Sequence, residues 1–299
     1  MSIATEFEPR LRTVSLPSDR SGEVLRVHEL SAVPGVQFWS VSGSQRHWAK
    51  VHDTFTSCLV LGPQPMRAKW RYRGEERIVE GGDIQAMEPS ELHRTTAVSE
   101  PADFFVVFWT PALLQAAAEE LGCRAPHLSV AQTRFPPLSE ALNALYRSLS
   151  LNVDPSAAEH YYLETTRQLL NGCSEAPPLA AEARYHPAVR RARLYIEAHF
   201  NETLSLDTLA DQVGLSKFHL ARTFGASVGA PPHQFQMQLR LVEARRRIEA
   251  GESIKQAAAM AGFADEAHLT RVFRRWIGVA PGTWRRLVRR PPTFSFSER

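Results

Sequence analysis

Two hydrophobic periodicities divide the chain. Up to residue 109 the apolar positions come in short runs rich in Val, Phe, Trp and Thr. They lie at Val24 to Leu30, Val36 to Val41, Thr54 to Leu61, Ala68 to Tyr72, Arg77 to Val79, Asp83 to Met87 and Phe104 to Trp109, punctuated by Gly, Pro and Ser. Runs of that length and spacing predict strands of a small barrel or sandwich. After Trp109 the spacing changes to three and four. Pro111 can open a helix carrying Leu113, Leu114 and Leu121 to a stop at Gly122, and Leu138, Leu142, Leu145 and Leu149 share one face of a second. Pro155 opens a third, which reaches Leu169 and Leu170 before Gly172.

Further on, one pattern is written twice. Leu209 and Ala210 lead to Gly214, Leu215, Leu220, Arg222, Phe224, Gly229, Pro232 and Phe235. Ala257 and Ala258 lead in the same order to Gly262, Phe263, Leu269, Arg271, Phe273, Gly278, Pro281 and Trp284. Each alanine is small where two helices must approach, and each of Gly214 and Gly262 sits where a tight turn needs positive φ. Leu220 with Phe224, and Leu269 with Phe273, are four apart and predict one buried face. The second copy carries one extra residue between its glycine and that face. A single copy reads equally well as an ordinary helical hairpin, but two in register point to a paired helix-turn-helix. A helix from Pro187 to about Phe200 precedes the pair, and one over roughly His233 to Ala250 joins the copies, with Leu239, Leu241 and Ile248 inside and Arg245 to Arg247 outside. Ser205 and Ser253 are suited to cap the helices that follow them.

The segments LSLDTLADQVGLSKFHLARTF with GAPPHQF, and SIKQAAAMAGFADEAHLTRVFRRWIGVAPGTW, resemble the C-terminal DNA-binding domain of the AraC/XylS family of bacterial transcription regulators. The resemblance implies that the second helix of each copy enters the major groove. Carried over by position, Phe218, Ala221 and Arg222 face bases in the first copy, and Glu266, Ala267 and Arg271 in the second. Ser216, Lys217 and His219, then Asp265, His268, Thr270 and Arg274, complete the DNA-contacting set. Ala221 and Ala267 can offer only van der Waals contact to a thymine methyl, and Glu266 can accept from a cytosine amine.

Charge supports this placement. Residues 187–290 hold 17 Lys and Arg against 9 Asp and Glu, or +8, so the rest of a +3 chain carries −5. A basic excess confined to the repeat segment suits a polyanion partner, although the run Arg245 to Arg247 alone reads equally as a solvated helix face. With 43% hydrophobic and 22% charged residues the composition is that of a soluble globular protein, long enough for two domains. Cys58, Cys123 and Cys173 are odd in number and widely spaced, so they suggest reduced structural thiols rather than a disulfide framework or a zinc site. The start, MSIATEFEPR, does not read as a signal peptide, and the longest apolar run is too short to span a bilayer, so a cytoplasmic location is expected.

In the strand region, GDIQAMEPSELH resembles the second motif of the cupin barrel found in the sensory half of such regulators, and His52-Asp53 resembles the first. Glu88 and Ser90 stand where cupins usually carry proline and glycine. A metal-binding cupin needs a closely spaced His pair, whereas His47 and His52 are five apart, so no metal or other cofactor is expected. His52, His93, Trp39 and Trp70 are the candidate effector contacts. For His93 a structural hydrogen-bonding role weighs the same, and the tryptophans, with Trp48 and Phe55, can instead be barrel core.

The expected fold class is α+β: an N-terminal cupin-like barrel with accessory helices, and an all-α C-terminal domain with two helix-turn-helix motifs. The expected division is an arm at 1–20, a sensory and dimerisation domain at 21–174, a linker at 175–186, the DNA-binding domain at 187–290 and a tail at 291–299. The expected function is a transcription regulator, an activator responding to a small metabolite, and not an enzyme. Its expected partners are promoter DNA, the effector, RNA polymerase and a second copy bound through residues 138–172. Alternatives are a constitutive DNA-binding protein with a purely structural barrel, and a cupin enzyme fused to a DNA-binding domain.

Overall fold

The computed structural model describes residues 11–16, 22–62, 67–121, 126–151, 154–173 and 186–289, and they divide into two compact units, the first ending at His186 and the second opening at Pro187. Cys123, the tail 291–299 and the linker 175–186 apart from His186 lie outside the described residues.

The first unit has eleven strands among its described residues: β1 (Leu11–Leu16), β2 (Val24–Leu30), β3 (Gln37–Ser44), β4 (Ala49–Lys50), β5 (Phe55–Leu61), β6 (Arg67–Tyr72), β7 (Glu75–Glu80), β8 (Ile84–Met87), β9 (His93–Val98), β10 (Ala102–Trp109) and β11 (Gln132–Thr133). They form two antiparallel sheets, β1-β2-β3-β10-β5-β8-β11 and β4-β9-β6-β7. From Phe104 to Trp109 the central strand β10 is apolar, because both of its faces are covered there. Phe105, Val107 and Trp109 turn to one side and pack with α1 (Pro111–Glu120), α2 (Pro136–Leu151) and α3 (Pro155–Cys173). Phe108, on the other side, meets Trp39 from β3 and His52 beside the second sheet, with ring centroids 5.8 and 5.1 Å away.

Several expectations change here. Leu11–Leu16, inside the segment read as an arm, pairs along its whole length with β2. It was hard to see because Leu11, Val14 and Leu16 do not alternate, and only Leu16 is fully buried. The polar strand β9, HRTTAV, was missed for the same reason, yet it lies between β4 and β6. Leu138, Leu142, Leu145 and Leu149 are all at most 1% exposed, and with Leu169 and Leu170 they are spent on the unit's own sheet. Phe55 joins that same helix-side core. Cys58 and Cys173 are free buried thiols, and burial pushes both up to about 12.

The glutamate of EPSELH has a clear job. Glu88 accepts from Leu128 N at 2.9 Å, pairs with Arg73 at 2.8 Å and binds His127, so it fastens the loop before β11 to the sheet. Arg73 also pairs with Glu91 at 2.7 Å, and Glu91 accepts from Tyr72. Ser90, standing at the usual glycine, has φ of 61°.

The second unit is a bundle of seven helices among its described residues: α4 (Pro187–Ala198), α5 (Leu206–Val213), α6 (Lys217–Val228), α7 (Pro232–Glu249), α8 (Ile254–Met260), α9 (Glu266–Ile277) and α10 (Pro281–Arg289). Its core is Ile196, Leu209, Leu220, Phe224, Phe235, Ile248, Leu269, Phe273 and Trp284, all 3% exposed or less. The connecting helix α7 is tied to the turn after α4. Gln236 Nε2 donates to the carbonyls of Phe200 and Glu202 at 2.9 and 2.7 Å, and Arg240 donates to the same two, each at 2.7 Å.

Candidate nucleic-acid interface and effector site

Each repeat builds its exposed helix from a glycine turn and a cap. Gly214 ends α5 with φ of 71°, and Ser216 Oγ accepts from His219 N at 3.3 Å to start α6. Leu220 and Phe224 are then fully buried, and the opposite face is open: Lys217, Phe218, His219 and Arg222 are exposed, with Ala221 half-buried. Phe218 is 79% exposed, which is unusual for a side chain of its size without a partner. Lys217 pairs with Asp207 on α5 at 3.1 Å, linking the two helices of the motif; both side chains are exposed, so the pair adds little to stability.

In the second repeat Gly262 has φ of 80°, and Ser253 forms a full capping box with Gln256 at the start of α8. Asp265 caps α9, accepting from His268 N at 2.6 Å. The extra residue of this copy lies between glycine and cap, so both caps stand four before the core leucine. That register aligns Phe218 with Ala267 and Ala221 with Thr270. It also separates the candidates by role. Ser216 and Asp265 hold backbone, and His268 packs edge-on to Phe263 with centroids 5.3 Å apart. Glu266, Ala267, Arg271 and Arg274 are exposed, and Thr270 is half-buried beside them. Arg275 is exposed on the same last turn, near the favourable C-terminal end of the helix.

The arginine run of α7 is engaged internally. Arg246 and Arg247 pair with Glu243 at 2.8 and 2.6 Å, Arg247 also with Glu252 at 2.9 Å, and Arg245 with Glu249 at 3.5 Å. The Arg246 guanidinium is the first cause holding Glu243 below the usual carboxylate range.

In the first unit the structure brings three of the four effector candidates together. His52 stacks on His93 at 5.1 Å and lies 5.1 Å from Phe108, and Trp39 packs on the same phenylalanine. Part of His93 reaches solvent, but its Nδ1 is buried without a hydrogen bond, and burial, followed by the nearby Lys50 charge, lowers it to about 3. Trp70 stands apart: it stacks on Tyr72 and donates its indole N–H to Gln132 at 3.1 Å, which marks it as core. Trp48, weighed from the sequence as barrel core, stands beside them with Lys50, which the sequence did not single out. Lys50 Nζ lies 4.8 Å from the Trp48 ring and 6.0 Å from Trp39. Trp48, Lys50 and His52 alternate with period two, which would have grouped them on one face.

Comparison with known proteins yields two family matches. Residues 209–287 match a helix-turn-helix domain, and residues 67–165 match the AraC-like ligand binding domain. The uncharacterized HTH-type transcriptional regulator YbfI of Bacillus subtilis is 23% identical over 198 residues, covering 65% of this chain and 72% of its own length. The probable transcription factor PqrA of Proteus vulgaris is 33% identical over 97 residues, 32% of this chain and 80% of PqrA. The HTH-type transcriptional activator RhaS of Escherichia fergusonii is 35% identical over 88 residues; the match takes in 29% of this chain and 32% of RhaS.

Proposed function

Because the chain belongs to the AraC/XylS family of transcription regulators, we propose that it lays α6 and α9 into the major groove of promoter DNA, on segments about one helical turn apart. The observation that carries this reading is the matched pair of capped helices, each hiding a Leu/Phe pair and exposing an arginine at the same register, Arg222 and Arg271. Lys217, Phe218, His219, Arg222, Glu266, Ala267, Thr270, Arg271, Arg274 and Arg275 form the contact surface. Ser216, Asp265 and His268 support it from behind.

A small metabolite bound between the sheets, at Trp39, Trp48, Lys50, His52 and His93, supplies the signal. Activation is the sign of regulation, on the analogy of the relative that is named an activator, with RNA polymerase as the protein partner. The regulator works in the cytoplasm; among the described residues no helix is long and apolar enough to cross a membrane. Dimerisation through residues 138–172 rests on the outer stripe of α3, where Leu163 is 57% exposed, and on Leu151, 69% exposed, rather than on the buried leucines.

The DNA reading is tested with Arg222→Ala, whose affinity for operator and for random DNA is measured across a salt series. Loss of a bidentate base contact weakens operator binding alone, by roughly 1–3 kcal/mol. An equal loss on both, with a salt slope shallower by about one, assigns Arg222 to the phosphate backbone instead. Sedimentation of the full chain as a monomer at micromolar concentration would exclude the dimer.

A further inference from the structure

Away from the effector site proposed above, on the helix side of the larger sheet, a cavity of about 290 Å³ opens between the β1–β2 pair and the end of α2. Its floor is polar but satisfied: His28, fully buried, joins Thr13 Oγ1 at 2.8 Å and Ser40 Oγ at 2.9 Å. Register pairs Thr13 with His28 and Ser15 with Arg26, so Arg26 stands on the same face, two residues along. Its guanidinium has no hydrogen bond or ion pair among the described residues, whereas Arg12, Arg46 and Arg73 of the same unit each hold a carboxylate. Tyr146, Leu149 and Ser150 close the other wall, and the tyrosine ring is held by Phe105 at 5.4 Å.

We propose that this cavity is a second small-molecule site, distinct from the one between the sheets, and that it takes a small monocarboxylate with a compact apolar body. The lone guanidinium sets the charge, because arginine recognises a carboxylate through two parallel N–H donors. The hydroxyls of Tyr146 and Ser150 can add donors to the same oxygens, and Leu11 and Leu149 offer the apolar wall. The volume lies at the low end of ligand pockets, which excludes a long chain or a nucleotide. His28 stays neutral at physiological pH, since burial is the first cause lowering it to about 4, and so adds no second charge. The C-terminal end of α2 opposes an anion, but that field fades within one turn and cannot match a direct guanidinium contact. An occupant here bridges edge strand β1 to α2.

The test uses the purified full chain and sodium benzoate as probe, read by melting temperature at constant ionic strength, with benzamide and inorganic phosphate as matched controls. Benzoate should give a saturable rise that neither control reproduces. Arg26→Gln, an exposed change with no partner to lose among the described residues, should weaken the apparent affinity about tenfold or more, as expected for one lost charge-assisted contact. Arg147→Gln on α2 makes the same change of charge outside the cavity and should leave benzoate binding as it was. No saturable rise, a rise shared by either control, or one that Arg26→Gln leaves intact overturns the site.

Discussion

Gly214 and Gly262 hold the same place in the two repeats, yet replacing each by alanine should have unequal consequences. Both have positive φ, 71° and 80°, so alanine at either position takes on the left-handed penalty of roughly 1–2 kcal/mol, partly offset by about 0.4–1 kcal/mol from a stiffer unfolded chain. Around Gly214 a Cβ meets nothing within 4 Å. At Gly262 it falls 2.3 Å from the carbonyl oxygen of Asn201 and 2.6 Å from its Cα. Those are backbone atoms of the turn after α4, which Gln236 and Arg240 hold by their bonds to Phe200 and Glu202. The turn cannot swing away cheaply, so overpacking adds about 1–3 kcal/mol at Gly262 alone. Scanning calorimetry of the full chain should resolve the second unit's transition, which spans about a hundred residues and moves by roughly 4–8 °C per kcal/mol. Gly262→Ala should lower it by several degrees more than Gly214→Ala. Equal shifts would refute the idea that close approach to Asn201, and not the turn conformation by itself, fixes this glycine.

Three further outcomes are expected. If Phe218 packs on a thymine methyl, replacing thymine by uracil at one operator position should weaken wild-type binding by about the worth of one methyl group, ~0.8 kcal/mol, and leave Phe218→Ala indifferent; a wild-type protein blind to every such replacement has no methyl contact there. Asp265→Ala removes the α9 cap and should cost about 1 kcal/mol in chemical unfolding of the second unit, while Asp265→Ser should recover most of it; no recovery would mean that the carboxylate acts otherwise than by capping His268 N. His28 is buried neutral at about 4 against an ordinary value of about 6.5, so below pH 6.5 the unfolded chain takes up a proton that the folded one refuses, and stability is lost as pH falls from there toward 4. By pH 5 the loss reaches about 2 kcal/mol, and His28→Gln should remove that part of the slope; a first-unit transition with the same pH dependence in both proteins counts against it.

The sequence determined a good deal by itself. Its repeat, its glycine turns and its leucine–phenylalanine pairs named the second unit, because helix caps, tight turns and period-four faces are short-range chemistry that leaves a local signature. Ser205, Ser253 and the pairs Leu220/Phe224 and Leu269/Phe273 stand in the structure as their spacing implied. The apolar run Phe104 to Trp109 likewise announced a strand.

What only the tertiary structure decided depends on which distant segments meet. Local pattern could not tell that the leucines of α2 and α3 would be consumed by their own sheet, because a buried stripe looks the same whichever surface buries it. Nor could it show that Trp70 finds Gln132, sixty-two residues away, while Lys50 and Trp48 gather beside His93. The extra residue of the second repeat was visible as a count, but only the position of the Asp265 cap showed which side of it the exposed helix begins. Glu88 and Arg26 are the sharpest cases: two charged side chains in the same unit, one neutralised by partners far along the chain and one without a partner among the described residues, a difference set by neighbours in space that no neighbour in sequence records.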